Sequence, residues 1–390
     1  MMIRTANIVG AGIGGLTAAI ALAQRGVHVR VFEQAPELLE VGAGIQLSPN
    51  AMKVLIALGL GEALHEVAFE PNSAVIKNGH SGKAYVSVPL KGIASRVFGA
   101  PYYHIHRADL QAVLQNKALE AGVEIALNAR VESYDEAGFS CVERADLSVG
   151  ADGVGSVLSA QMNPDQPVQF TGQIAWRGAV PTAHLPTGLV PPDATVWSGS
   201  GKHIVTYYVR GGDLVNFVAV EEKSNWADTS WTSQGDLSDL QNVFDGWHST
   251  ITMLLAASTQ VNIWALYDKP ELKKWVDGSV ALLGDAGHPT LPFMAQGAAM
   301  AIEDAYILAQ CVAVKSTLNE ALRTYEILRK PRTKMLQSKA RKNADLFHSR
   351  GSFGGLLSKA KLNVARCLPS KLAMFPFNDI YKYDATKIDF

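Results

Sequence analysis

Four glycines, Gly10, Gly12, Gly14 and Gly15, crowd one turn of "NIVGAGIGGLTAAIALAQRGVHVRVFEQ" (residues 7–34), and an acid, Glu33, follows Gly15 by 18 residues. Glycine costs conformational entropy, so such a cluster needs a reason. A turn of this kind brings bare backbone N–H groups against a phosphate, and an acid at this distance accepts hydrogen bonds from a ribose diol. Gly10 allows the tight turn, Gly12 the approach of a pyrophosphate, and Gly15 the close packing of helix on strand. The flanks supply the elements that must position them. "ANIVG" is a short apolar strand, "GLTAAIALAQRG" has helical apolar spacing and stops at Gly26, and "VHVRVFE" alternates as a second strand. Strand, glycine turn, helix, strand and acid together form the dinucleotide fingerprint, which does not by itself separate NAD from FAD.

A second stretch favours FAD. In "VALLGDAGHPTLPFMAQGAAMAIEDA" (residues 280–305) an apolar strand ends at Gly284-Asp285, where a carboxylate can hydrogen-bond a polyol. A new helix begins near Gln296, Gly297 and Ala298. A helix N-terminus aimed at an isoalloxazine stabilises the negative charge of reduced flavin, whereas NAD would gain nothing from it. Arg107, in "HIHRADLQAVL", stands where a strand gives way to a helix and is within reach of the cofactor phosphates. Asp152-Gly153, in "VGADGVGSV", follows another short strand. In "GKHIVTYYVRGG", His203 and Tyr207 lie four residues apart on a strand and so share a face.

The chain has 390 residues, 48% hydrophobic and 18% charged, which suits a globular enzyme of more than one domain. A net charge of −1 gives no basis for nucleic-acid binding. Cys141, Cys311 and Cys367 are scattered, which fits a reducing cytoplasm. No metal-ligand spacing, signal peptide or apolar run of membrane-spanning length is evident. The βα texture at both ends encloses a stretch, from about Val168 to Trp264, of short alternating Thr, Val, Tyr, Trp and Phe runs. The expected fold is therefore α/β. A Rossmann-like dinucleotide domain (residues 1–70, 100–165 and 270–345) carries an inserted antiparallel β-rich domain (71–99 and 166–269). A helical tail (346–390) follows, and helix is expected from about Leu318 with interruptions at Pro331, Gly351 and Pro369. The basic, partly amphipathic residues 351–375 are read as packing on the core or on a second subunit rather than on a membrane.

Taken in this order, the motifs resemble those of the single-component FAD-dependent aromatic hydroxylases of the 4-hydroxybenzoate, salicylate and 6-hydroxynicotinate type. The matching residues are Gly10, Gly12, Gly15 and Glu33, then Arg107, Asp152 and Gly153, then Gly284 and Asp285 with Pro292, Gln296, Gly297, Glu303 and Asp304. The resemblance spans residues 3 to 345 and weakly reaches "NDIYKYDA" near the C-terminus. One departure is Ser159, where the family's DG motif carries Arg, which puts an ion pair behind that turn in question. The resemblance implies non-covalent FAD, reduction by a transiently visiting NADH or NADPH, and addition of O2 at flavin C4a before oxygen transfer to a small aromatic ring. No second fingerprint provides a separate nicotinamide domain. It also implies a monomer or homodimer. His203 and Tyr207 match the family's substrate strand, with His203 as base or partner for a ring hydroxyl and Tyr207 orienting the ring. Gln296, Pro292 and Met294 are expected over or beside the flavin, with Gln46 lining the cavity; His288 is read as structural. Two other readings compete: an epoxidase or hydroxylase of a larger ring walled by Trp176, Trp197, Trp226 and Phe217, and a non-catalytic redox-sensing flavoprotein.

Overall fold

The computed structural model describes residues 3–38, 44–135, 138–140, 142–224, 226, 233–348 and 375–390. Its first sheet runs, in spatial order, Val276–Asp277, Val280–Leu282, Leu147–Gly150, Thr5–Val9, His28–Phe32 and Glu124–Ala126. All neighbours are parallel except the Val276–Asp277 edge. The central strands are buried through Ala6, Ile8, Val29, Val31 and Val149, as expected for a sheet covered by helices. Helix Ile13–Ala23 packs against its own strands and against helices Arg107–Glu120 and Gly297–Val314. It is apolar on every side because it has neighbours on every side. Among the described residues, Gly297–Val314 is the one helix long and apolar enough to cross a membrane, and most of it is buried in this core.

The second sheet is ordered Asn262–Asp268, Gln169–Pro181, Leu214–Glu222, Lys202–Val209, Ala194–Gly199, Ser73–Asn78 and Ala84–Pro89. Its residues alternate between two faces, with register shifts between Phe170 and Ile174 and between Ile76 and Lys77. One face carries Trp176, Trp197, Ile204 and Phe217 into a core with Phe244, Ile251 and Leu254. The opposite face carries Arg177, His203, Val205, Tyr207, Val218 and Val220 into a cavity. Trp176, Trp197 and Phe217 therefore do not wall a broad pocket: they belong to the wrong parity of the sheet, and Trp226 packs beside the same core.

A two-stranded ribbon, Gly44–Leu47 with Tyr103–His106, lies against the second sheet. Gly44 N–H donates to Asn216 Oδ1 at 2.7 Å, and a Cβ on Gly44 would stand 2.4 Å from the Tyr207 ring, so only glycine permits this contact. The helix Leu318–Phe347 runs without a break through Pro331, contrary to the interruption expected there. Pro331 removes the bond to the Ile327 carbonyl, but Ile327 is 72% exposed, so this stretch of helix lies at the surface, where a missing bond costs least. Residues 375–390 return to the core. Lys53 Nζ donates to the carbonyls of Tyr381, Lys382 and Tyr383 at 3.0–3.2 Å, and Tyr381 packs edge-on against Phe98 and Tyr102. Gly351, Pro369 and most of the 346–390 tail lie outside the described residues.

Candidate active site

Two cavities lie along one cleft, and Arg107 lines both. The first, about 410 Å³, opens at the carboxyl ends of the first sheet's strands. Gly10, Gly12, Glu33, Asp152 and Gly153 line it. Gly10 has φ +97°, and a Cβ there would lie 2.3 Å from the Ala151 carbonyl oxygen. A Cβ on Gly15 would lie 1.9 Å from the Gly10 carbonyl oxygen, whereas one on Gly12 would meet nothing within 4 Å. Gly10 and Gly15 thus close the turn, and Gly12 faces the open space a pyrophosphate needs. Gly14 differs from its expected role: its missing Cβ makes room for Leu283 and Ala301 between two helices, not for a cofactor. Glu33 accepts from the Ala11 and Ala35 amides at 2.8 and 2.9 Å, which fixes its carboxylate at the cavity edge.

Behind the Asp152-Gly153 turn stands a cation from a distant segment. Lys269 Nζ donates to Ser159 Oγ at 2.8 Å, buried at the end of the Asn262–Asp268 strand. Burial pulls the ammonium's pKa down, and the charge of Asp152 works against that pull. Burial also raises Asp152, whose two oxygens form no well-aligned hydrogen bond although the Ser156 hydroxyl stands near. Ser159 thus has a cationic partner in Lys269, a residue without any motif around it.

The second cavity, about 280 Å³, is walled by the second sheet on one side and by the loop 285–298 on the other. Asp285, Pro292, Gly297, Ala298 and Gln46 line it, as do His203 and Tyr207. The N-terminal amides of helix Gly297–Val314 border this cavity. Ala295, just before that helix, has φ +51°, a left-handed conformation rare for a residue with a side chain. Gln46 Oε1 accepts from the Tyr102 hydroxyl at 2.6 Å. The sheet register places His203 opposite Val220, Val205 opposite Val218, and Val218 opposite Arg177. Arg177 is a cavity residue that no motif pointed to; its guanidinium stacks 5.1 Å over Trp264.

Two residues of the loop do not face the cavity as expected. The Gln296 amide is turned into the core, donating to Ser48 Oγ at 2.9 Å and accepting from Asn50 at 3.1 Å. Asn50 in turn donates to Glu303 at 2.6 Å, so Gln296 ties the loop to a buried polar network. Met294 packs among the apolar clusters, its sulfur beside Asn343. The same network explains Glu303 and Asp304. Arg329 bonds both carboxylates at 2.8 and 2.6 Å, Arg332 bonds Glu303, and His288 bonds Asp304 at 2.5 Å. Burial works to raise Asp304, but the charges of His288 and Arg329 outweigh it and hold it at about 2. His288 accordingly acts within this network and stands against Trp275.

His203 is buried with Phe293 and Phe347 around its ring. Its Nδ1 lies 2.7 Å from Nε2 of His348, a contact across 145 residues of chain. Burial first, and then His348, depress its pKa well below the ordinary value, so His203 is held neutral. Tyr207 lies 4.7 Å from His104, whose pKa burial lowers to about 3. Burial raises the Tyr207 phenol despite the opposing charge of Arg177, so it stays protonated as a donor.

A glycine turn open at Gly12, two helix N-termini, a ribose-reaching acid and a shared arginine fit a bound FAD: the phosphates at the first cavity, the isoalloxazine at the second. The chain belongs to the family described as an FAD binding domain, which it matches over residues 3–340. It is 38% identical over 348 residues to the 3-amino-4-hydroxybenzoate 2-monooxygenase of Streptomyces cremeus, covering 87% of each chain. It is 35% identical over 342 residues to the 6-hydroxynicotinate 3-monooxygenase of Pseudomonas fluorescens, covering 85% of this chain and 88% of that one. Among solved structures, Klebsiella pneumoniae HpxO complexed with FAD and uric acid is 28% identical, with a TM-score of 0.81 over 93% of each chain. The protein is an FAD-dependent monooxygenase of the aromatic hydroxylase type, using NAD(P)H and O2 as this family does.

Proposed function

We propose that this enzyme hydroxylates a small, carboxylated phenol or hydroxypyridine. The observation that carries the reading is that His203 and Tyr207 share one wall of the second cavity, facing the loop that would border the flavin. Arg107 and Arg177 on the cavity wall favour an anionic ring. The bound FAD supplies the redox chemistry and the activation of oxygen. The overall balance is one ring C–H, O2, NAD(P)H and a proton giving a ring C–OH, NAD(P)+ and water.

The chain's own residues orient and activate the ring. Tyr207 donates to its carboxylate or hydroxyl, Arg177 neutralises the carboxylate, and His203 accepts the hydroxyl proton, which makes the ring electron-rich. The apolar wall of Val205, Val218, Val220 and Trp264 excludes water from the reacting carbon. In this reading the first sheet's segments (1–70, 100–165, 270–345) hold the cofactor and the second sheet's (71–99, 166–269) hold the substrate. The enzyme works in the cytoplasm as a monomer or homodimer.

The test is a panel of 3-hydroxybenzoate, 6-hydroxynicotinate and 3-amino-4-hydroxybenzoate, scored for stimulated NAD(P)H consumption with the product identified by mass. At least one ring should accelerate consumption and gain one oxygen atom. Equal consumption with and without every ring, and no oxygenated product, would refute the substrate assignment.

A further inference from the structure

A buried base must dispose of the proton it takes. His203 is 2% exposed, and its Nδ1 is engaged by His348, which is itself 5% exposed. His348 Nδ1 lies 3.5 Å from Glu222 Oε1, and Gln173 Nε2 shares that edge of the ring at 3.3 Å. Glu222 ends the Leu214–Glu222 strand with its side chain 31% exposed. Three groups able to carry a proton thus run in line from the ring cavity to solvent, drawn from three separate elements. Packing alone does not call for this: Phe293 and Phe347 already fill the space around His203, and a second buried imidazole adds a desolvation cost that an apolar ring would not.

We propose that His348 and Glu222 are the exit path for the substrate's hydroxyl proton, in a chain from His203 through His348 and Glu222 to water. This rests on the reading of the cavity as a phenol site. The ring O–H bond breaks and its proton goes to the cavity-side nitrogen of His203. The proton on the Nδ1 side of His203 passes to His348 Nε2; His348, in the tautomer whose Nδ1–H is turned to Glu222 instead of accepting from Gln173, passes that proton to the Glu222 carboxylate and then to solvent. One proton leaves, both imidazoles end neutral with their tautomers exchanged, and the ring remains as its phenolate. His348 is a positioning and relay residue and does not touch the substrate.

The experiment uses FAD-loaded, oxidised enzyme without NAD(P)H in weak buffer with a pH-indicator dye. It is mixed by stopped flow with 3-hydroxybenzoate, 6-hydroxynicotinate or 3-amino-4-hydroxybenzoate. Flavin absorbance reports ring binding, and the dye reports proton release. The wild type should release a proton in step with ring ionisation. His348→Phe should bind the ring within about threefold of wild type yet slow release by about tenfold or more, less than the roughly 10²–10⁴-fold of a group that touches the substrate because His348 acts through His203. Glu222→Gln should slow it less, and Glu222→Asp should restore it, which a purely structural role would not do. Should His348→Phe fail to retain FAD, the exposed Glu222 pair carries the test alone. Wild-type release rates in both His348→Phe and Glu222→Gln, with the ring bound, overturn the relay and leave the substrate reading standing. Absence of any ring-induced flavin change overturns the substrate reading and the relay with it.

Discussion

The cofactor cavity is lined to a large part by turns, each formed by residues close together in the chain: Gly10 to Gly12 and Ala151 to Gly155. The ring cavity takes its working groups from side chains on strands far apart, with His203, Arg177 and Trp264 brought together only by the sheet register. A site made of backbone demands particular residue types at fixed local spacing, because only glycine leaves the amides bare. A site made of side chains demands parity and register, which many sequences satisfy. The first is therefore sensitive to single Cβ atoms, and the second to single functional groups.

The largest expected effect separates two glycines three residues apart. Gly15→Val places its Cβ 1.9 Å from a backbone oxygen and should abolish soluble folded protein. A Cβ at Gly12 meets nothing within 4 Å, so the Gly12→Val chain should fold with ordinary circular dichroism but purify colourless. Its FAD affinity should fall by roughly 10²-fold, about 3 kcal/mol. A yellow Gly12→Val protein would break the assignment of that space to the pyrophosphate.

On the ring side, His203→Ala should retain FAD and slow product formation by roughly 10²-fold, the low end of a general-base effect. Coupling, measured as product per NAD(P)H consumed, should fall as well. Wild-type coupling and turnover would reduce His203 to a sheet residue. Tyr207→Phe should act more weakly, on binding. Losing one hydrogen bond to a charged group costs about 1.5 kcal/mol, or roughly tenfold in the ring's dissociation constant. An unchanged ring titration in Tyr207→Phe would show that the phenol orients nothing.

The same distinction governs what could be read from the sequence. Both sheets were legible: the first through its βα texture and glycines, the second through alternation. The parity of His203 and Tyr207 followed from strand geometry alone. Gln296 and Met294 misled because a loop before a helix has no fixed period, and which of its side chains turn inward is decided by partners such as Ser48 and Asn50, far away in sequence. His348 and Arg177 carried no signal, since each acquires meaning only from a neighbour across the fold. Pro331 announced a break that did not occur, and the helix turn it weakens lies at the surface around Ile327.

Lys269 is the exception that sharpens the comparison, since here a side chain from the far sheet serves the cofactor cavity. Its hydrogen bond to Ser159 and its charge near Asp152 put a non-local lysine beside the position where the family's motif carries a local arginine. Two readings of that lysine make different forecasts. If Lys269 only fills space behind the turn, Lys269→Met, of similar length and without charge, should bind FAD as wild type does. If its charge steadies the Asp152-Gly153 turn, Lys269→Met should raise the FAD dissociation constant by roughly fivefold, about 1 kcal/mol, while Ser159→Ala, which keeps the ammonium, should have a smaller effect. The measurement is fluorescence titration of apoprotein with FAD at low and high salt. The difference between wild type and Lys269→Met should survive high salt, because a buried charge is poorly screened. An unchanged dissociation constant in Lys269→Met would return the cofactor cavity to a purely local construction and leave Ser159 as a loss without replacement.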